Sequence, residues 1–443
     1  SGVSRRSLLT GATAAGALAA GAVMAGAARA QQAGISAPPT NFGAVAGMPF
    51  RALVRHGRER EVMDLRLREM KSRQVLVRTK ASCACYSIGP TIFADRDQDP
   101  PMIPNHSSMG VVEAVGPDVR RVQVGDRVVV SGTPWCGVCY QCLNGAPEWC
   151  SYHAGALAND PIAEMDDGTA VIEMSTIGGI SEITIAYEEY CVPVFTDISD
   201  EHLAMLGDTF AVGLAATSDY YAVDFGDNVV IFGAGPVGLA AVQGARARQA
   251  GQIIVVEPVA YRREAALENG ATTVLDPNED TDGLIDRIRD MCSGPTERLD
   301  AGGRIRNHRF IPVVGADLVV EASGGDLFPP AVEVGPDPTG LLALRQAWEV
   351  TRGGGHLVTL AAGQAGNIDF PTSAFCLSGR RIYGGQMGGM NVMRDTPRYV
   401  SLIETGAVDP DRIITRTVPL DEAVEGFQGV VDRTELGVVV TFD

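Results

Sequence analysis

The chain has no excess of basic residues: 36 lysines and arginines stand against 54 aspartates and glutamates, a formal net charge of −18. A surface of that sign repels phosphate backbones and anionic headgroups, which argues against nucleic acid or an acidic membrane as partner. No apolar run has the length and purity of a transmembrane helix, so no stable membrane span is expected. No internal repeat appears beyond an alternation of strand and helix signals. The nine cysteines are an odd count, so they cannot all pair as disulfides within the chain. What is present is a globular composition, 45% hydrophobic over 443 residues, enough for about two or three domains.

One stretch organises the rest. Val229 to Glu257 reads VVIFGAGPVGLAAVQGARARQAGQIIVVE. The apolar run Val229 to Phe232 has the make-up of a buried strand. Gly233, Gly235 and Gly238 then fall in the order G-x-G-x-x-G, with Pro236 and Val237 between the last two. Gly233 permits a tight turn, Gly235 lets backbone approach a pyrophosphate, and Gly238 lets the following helix pack close to the strand. The helix start offers free N–H groups to phosphate. A second apolar run ends at Glu257, where a carboxylate accepts from a ribose hydroxyl and favours NAD over NADP. Arg262 and Arg263, just beyond, leave contact with a 2′-phosphate open. Three glycines alone would be only a flexible turn; strand, turn, helix, second strand and acid in register predict a dinucleotide site.

The first residues are not read as fold. Ser4-Arg5-Arg6-Ser7-Leu8-Leu9, a mildly apolar Ala/Gly stretch from Gly11 to about Ala27, and the small-x-small site Ala28-Arg29-Ala30 resemble a twin-arginine (Tat) export signal over residues 1–30. Residues 31–46 are rich in proline, glycine and alanine and read as a flexible leader. The expected location is the periplasm or otherwise outside the cytoplasm; that pathway carries proteins already folded, so metal and nucleotide can be loaded before export.

Cysteine spacing points away from an export-type disulfide framework. Cys136, Cys139, Cys142 and Cys150 run C-x2-C-x2-C-x7-C. Thiolates this close wrap one ion tetrahedrally, as in a closed structural Zn2+ site; two local disulfides are the alternative. Cys85, His106 and Asp208 are scattered, and each alone is weak. Asp208 equally fits the cap of a helix starting at Thr209.

The stretch NHSSMGVVEAVGPDVRRVQVGDRVVV after Pro104 changes that. From about Phe50 to the C-terminus the chain resembles the zinc-dependent medium-chain alcohol dehydrogenases. It shows Asn105-His106-Ser107 and then Gly110, Gly116 and Val119 of their signature, and the four-cysteine lobe matches their structural zinc spacing without a gap. The resemblance implies an α/β chain: a GroES-like, β-rich catalytic domain (47–208), a Rossmann doubly wound parallel-sheet coenzyme domain (209–384), and a return to the catalytic domain (385–443). It implies two Zn2+ per chain and NAD(H). Cys85, His106 and Asp208 match the ligands of a catalytic zinc, Cys136, Cys139, Cys142 and Cys150 those of a structural one, and Ser87 the hydroxyl that takes the substrate proton. Gly233, Gly235, Pro236, Val237, Gly238, Glu257 and Arg262 are the coenzyme candidates. The implied reaction is interconversion of an alcohol with an aldehyde or ketone, in a homodimer or homotetramer. Export, where free NAD is scarce, adds the expectation of tightly held NAD(H) recycled by an external electron acceptor. An aldehyde dismutase or lyase using bound NAD, and a non-catalytic binding protein that retains the fold, are the rival readings.

The chain departs from the family at several points. Ser107 replaces a signature Glu, Pro90 stands where some members place the outer relay histidine, and Tyr86 and Gly437 stand where well-known members place phosphate-binding arginines. Cys83 is an alternative to Cys85 that fits the spacing less well. Cys191, Cys292 and Cys376 read as buried thiols. Gly132, in place of a bulky aromatic, suggests room for a larger substrate, and Tyr152 and His153 read equally as pocket-facing or as exposed loop positions. Arg298 to Pro312 and Asp326 to Gly340 look like solvated insertions. Gly353-Gly354-Gly355 is read as a turn before a strand starting at Leu357.

Overall fold

The structure, a computed structural model, describes residues 41–93, 99–152, 160–279, 282–294, 313–324, 341–360 and 368–443. The export-signal reading, residues 31–40 of the leader, His153 and both insertion segments lie outside the described residues. The remaining end of the leader is not loose. Phe42–Ala44 forms a 3-10 turn, and Val45 is buried with Phe50, Leu65 and Leu67. An apolar side chain with a hydrophobic slot to fill orders the stretch that its small-residue composition suggested was flexible.

Two parts are joined by a chain that leaves one and returns. The coenzyme part is a six-stranded, all-parallel sheet. Its strands lie in the order Thr273–Leu275, Gln252–Val256, Asn228–Phe232, Ala316–Glu321, Thr351–Thr359, Arg381–Gly384. In chain order that is 3-2-1-4-5-6, the doubly wound arrangement whose switch point lies beyond the first strand's C-terminal end. These strands read as continuous apolar runs because helices cover both faces. Ala316–Glu321 is buried at every position. Helix Pro236–Ala247 packs against helix Thr209–Ala216, buried along its whole length.

The three glycines at 353–355 do not precede a strand. They lie inside Thr351–Thr359, where pairing jumps from Ala316↔Thr351 to Leu318↔His356. Gly354 at φ +77 absorbs the resulting bulge, so glycines that look like punctuation are here an irregularity within one strand.

The β-rich part holds a closed barrel, Pro49–His56, Glu59–Leu67, Ala163–Glu164, Ala170–Glu173 and Met102–Ile103. Beside it lies a seven-stranded sheet centred on Gln74–Cys83, which pairs with Ser108–Val115, Ile183–Tyr187 and the C-terminal strand Gly437–Thr441. Strand Gln74–Cys83 ends next to Cys85, and strand Ser108–Val115 begins two residues after His106. The C-terminal strand, arriving from the coenzyme part, is therefore built into the same sheet as the metal-ligand candidates. Among the described residues, no helix is long and apolar enough to cross a membrane.

Candidate active site

Cys85, His106 and Asp208 come from three separate places in the chain, and their ligand atoms all lie within 4.8 Å of one another. His106 Nε2 is 3.1 Å from Asp208 Oδ2. Asp208 does precede helix Thr209–Ala216, but its side chain makes no cap hydrogen bond; the carboxylate is turned to the imidazole instead. Burial opposes charge on His106, but Asp208 outweighs it and holds the imidazole well above its ordinary pKa. Burial likewise opposes charge on Asp208, and His106 outweighs it, lowering the carboxyl. Burial, with Asp208, pushes the Cys85 thiol up. A thiol, an imidazole and a carboxylate, each offering one converging atom, suit Zn2+ with a fourth position open. Ser87 Oγ lies 3.1 Å from Cys85 Sγ and is exposed to the cavity. Cys83 is outside the cluster; its thiol, driven up to about 12 by burial, meets Thr209 Oγ1 at 3.3 Å.

The lobe cysteines also converge, with all four sulfurs within 4.8 Å of one another. Cys136 and Cys142 sulfurs are 4.0 Å apart, close to the ~3.8 Å edge of a tetrahedron with ~2.3 Å zinc–sulfur bonds. All nine cysteines are free thiols. Backbone N–H groups of Val138 and Cys139 donate to Cys136 Sγ, and those of Cys142 and Ser151 donate to Cys139 Sγ. Burial opposes the Cys139 thiolate, but these donors prevail and bring its pKa down to about 6. The geometry is that of a closed four-thiolate site.

At the other end of the same cavity stands the glycine turn. Gly233 lies at φ +92, and a Cβ at Gly238 would fall onto Gly233 O, so that residue serves packing. Gly235, Pro236 and Val237 line the cavity. A Cβ at Gly235 would meet nothing nearer than Arg262 Nη1 at 4.0 Å, which leaves a cradle over the start of helix Pro236–Ala247. Glu257 is buried beside it and accepts from Ala234 N (2.7 Å) and Val259 N (2.9 Å). Its other lone pairs remain for a ribose hydroxyl. Arg262 lines the cavity, whereas Arg263 bonds Glu257 O and Pro258 O and pairs with Asp276. The two arginines, equivalent in the sequence, are thus told apart.

The cavity measures 720 Å3 and joins Cys85, Ser87, His106 and Asp208 to Gly233, Gly235, Glu257 and Arg262. Gly132 lines it next to His106, where a Cβ would stand 3.1 Å from His106 O. Tyr152 does not line it; Arg73 donates to its hydroxyl and covers its ring. Cys191 and Cys292 are buried as expected, but Cys376 is exposed, on the short helix Thr372–Leu377 in which no residue is buried. Sequence reasoning missed Trp149, Ser175, Met387 and Arg433, all in the lining. Ser175 and Met387 sit at positive φ, a conformation that local pattern does not reveal. Arg433 arrives only with the C-terminal return.

A three-ligand metal cluster and a dinucleotide turn sharing one chamber define a metal-assisted, nucleotide-linked oxidoreductase. The narrower identity comes from comparison. Residues 71–196 match the alcohol dehydrogenase GroES-like domain and residues 236–405 the zinc-binding dehydrogenase domain, together more than half of the chain. The chain belongs to the zinc-dependent medium-chain alcohol dehydrogenases and is an oxidoreductase acting on alcohols. It is 27% identical over 400 residues to the NDMA-dependent alcohol dehydrogenase of Amycolatopsis methanolica, covering 89% of this chain and 99% of that one. To the S-(hydroxymethyl)glutathione dehydrogenase of Paracoccus denitrificans it is 27% identical over 380 residues, 84% and 93% of the respective chains. The crystal structure of an alcohol dehydrogenase zinc-binding domain protein from Burkholderia ambifaria superimposes with a TM-score of 0.74 at 25% identity, over 89% of this chain and 99% of that one. Zinc and NAD(H) are the family's cofactors, and the clusters and the glycine turn are where this chain fits them.

Proposed function

We propose that the chain oxidises an alcohol, or reduces the matching carbonyl, with NAD(H) that stays bound and is recycled in place by a second substrate. The observation that carries the chemistry is the single chamber shared by the ligand cluster and the glycine turn. Cys85, His106 and Asp208 hold the catalytic zinc, and Cys136, Cys139, Cys142 and Cys150 a second, structural one. When bound, zinc supplies Lewis acidity to the substrate oxygen and NAD+ supplies the hydride acceptor. Ser87 takes the hydroxyl proton. Because Ser87 is exposed in the cavity, it passes that proton to water, and the histidine missing at Pro90 is not needed. Gly132 lines the cavity without a side chain of its own, which favours a bulkier alcohol. One relative is named an NDMA-dependent alcohol dehydrogenase, a dependence on a further compound of the kind that retained NADH would require of an acceptor. Export through the twin-arginine pathway, supported by Arg5, Arg6 and the Ala28-Arg29-Ala30 site, supplies the reason to retain it.

The test is to purify the protein without added cofactor, denature it, and quantify nucleotide and metal. The expected yield is about one nicotinamide nucleotide and about two zinc ions per chain. Protein that is empty of nucleotide and turns over only with added NAD overturns the retained-coenzyme reading. Wild-type turnover in a folded Cys85→Ser variant overturns the zinc assignment. Equal alcohol and acid formed from one aldehyde would replace net oxidation by dismutation.

A further inference from the structure

We propose that Arg433 is a coenzyme-diphosphate ligand, closing with Arg262 over the Gly233–Gly238 turn. The inference rests on NAD(H) occupying that crevice, and it adds a contact from the C-terminal return rather than from the coenzyme part itself.

Arg433 lines the same cavity as Gly235, Glu257 and Arg262. Burial lowers the pKa of its guanidinium, with Arg262 adding to that effect while Tyr86 and Glu257 oppose it. Two guanidinium groups of like charge therefore face one crevice. Glu257, the carboxylate among them, already anchors the backbone N–H groups of Ala234 and Val259. Helix Pro236–Ala247 opens there with Gly235 as its N-cap, and no side chain caps it. Two guanidinium groups against one carboxylate leave an excess of positive charge beside an uncapped helix start, in a chain whose net charge is −18. An anion carrying two charges suits it, and the diphosphate is the part of the coenzyme that the glycine turn admits closest to backbone.

The backbone of Arg433 points the same way. Helix Ala423–Val431 ends with Asp432 as C-cap, and Arg433 follows at φ +60. That left-handed position after a helix is where glycine is usual. A Cβ-bearing residue held there is strained, and such strain is kept where the side chain has work that glycine cannot do. The turn is tied to the coenzyme part: Tyr261 Oη donates to Arg433 O at 2.6 Å, and Arg262 Nη2 donates to Glu435 O at 3.4 Å. Arg262 Nε in turn reaches Tyr261 Oη at 3.1 Å. Arg433 is thereby fixed relative to the glycine turn although it belongs to another part of the chain. It supplies positive charge where Tyr86 and Gly437 supply none.

The decisive variant is Arg433→Gly. Glycine relieves the left-handed strain, so its melting temperature should equal or exceed that of wild type, and weaker binding cannot be put down to misfolding. Full-length protein, freed of nucleotide in mild denaturant and refolded with zinc to its original melting curve, is titrated with NADH, NADPH and ADP-ribose, following NADH or protein fluorescence at several salt concentrations. Arg433→Gly should weaken NADH and ADP-ribose alike by about 10- to 100-fold, with a shallower salt dependence, and Arg433→Lys should recover part of the loss. NADH binding as tight and as salt-dependent as wild type overturns the proposal. Weakening confined to NADPH also overturns it, by assigning Arg433 to a 2′-phosphate. If wild type binds neither NADH nor ADP-ribose, the coenzyme reading itself falls; if wild type binds and the variant is unchanged, only the Arg433 assignment falls.

Discussion

Ser107 and Asp208 together show how one carboxylate is accommodated near His106. Ser107 is fully buried, and a Cβ added at Gly207 would stand 3.0 Å from Ser107 Cβ. That close approach of a small side chain to a glycine is what lets the turn before Thr209 carry Asp208 to 3.1 Å from His106. A glutamate at 107 would push against Gly207 and bring a second carboxylate beside Asp208. Ser107→Glu should therefore destabilise the fold by about 3 kcal/mol or more, the scale of a buried unpaired charge. It should also lower zinc content, and thermal melting with metal analysis checks both. At this scale the candidate site was legible only in part. Cys85, His106 and Asp208 lie far apart in the chain, and family register placed them, because no local pattern brings residues 85, 106 and 208 to one point. Trp149 and Ser175 escaped because their roles depend on which way a turn faces.

Among the elements, the cysteine lobe does more than enclose its own ligands. Trp149, next to Cys150, lines the cavity, and buried Glu148 accepts from Tyr220 Oη at 2.9 Å. Tyr220 in turn lies against Gly385 and Gly389, which bracket the turn carrying Gln386 and Met387 into the cavity lining. A change in the lobe is thus felt at the substrate wall. Cys142→Ser should lose about one zinc per chain and raise KM about tenfold, with faster amide exchange over residues 136–151. Exchange mass spectrometry and steady-state kinetics test the link.

Helix Val392–Glu404 is expected to couple to pH through Asp219. Asp219 packs against its side chains, pairs with Arg394 and accepts from Tyr399 Oη and Ser218 Oγ, while Arg394 and Arg398 both reach Asp395. Burial, then Asp395, raises the Asp219 carboxyl from 3.8 to about 6, against the pull of Arg394. A pKa raised by folding means that the folded state favours the proton. The stability Asp219 contributes is therefore complete below pH 3.8 and is lost as pH rises through about 6. Asp219→Asn should flatten that part of the curve, and denaturant unfolding at a series of pH values measures it. The elements themselves were largely readable. Parallel strands buried on both faces are unbroken apolar runs, and four cysteines within fifteen residues announce their own site. The bulge at Gly353–Gly355 was not readable, because glycine marks a turn and a strand irregularity with the same letter.

For the whole molecule, the consequence of one chamber is kinetic. Substrate cluster and coenzyme turn open into the same 720 Å3 space, and the C-terminal return is tied across the coenzyme side through Tyr261 and Arg262. Those two hydrogen bonds, from Tyr261 to Arg433 O and from Arg262 to Glu435 O, hold the return against the residues that would flank a bound nucleotide and so favour its retention. If the coenzyme stays, the electrons taken from one substrate leave with a second that enters where the first departed. Supplied with an alcohol and an unrelated aldehyde, and no added NAD, the protein should convert both in equal amounts. Its double-reciprocal plots should be parallel, as in a ping-pong mechanism. Intersecting lines, or turnover that appears only when NAD is added, would mean that the nucleotide exchanges with solvent on each cycle. Loosening the turn with Arg433→Gly should move the kinetics in that direction, making activity depend on added NAD without changing which alcohol is preferred.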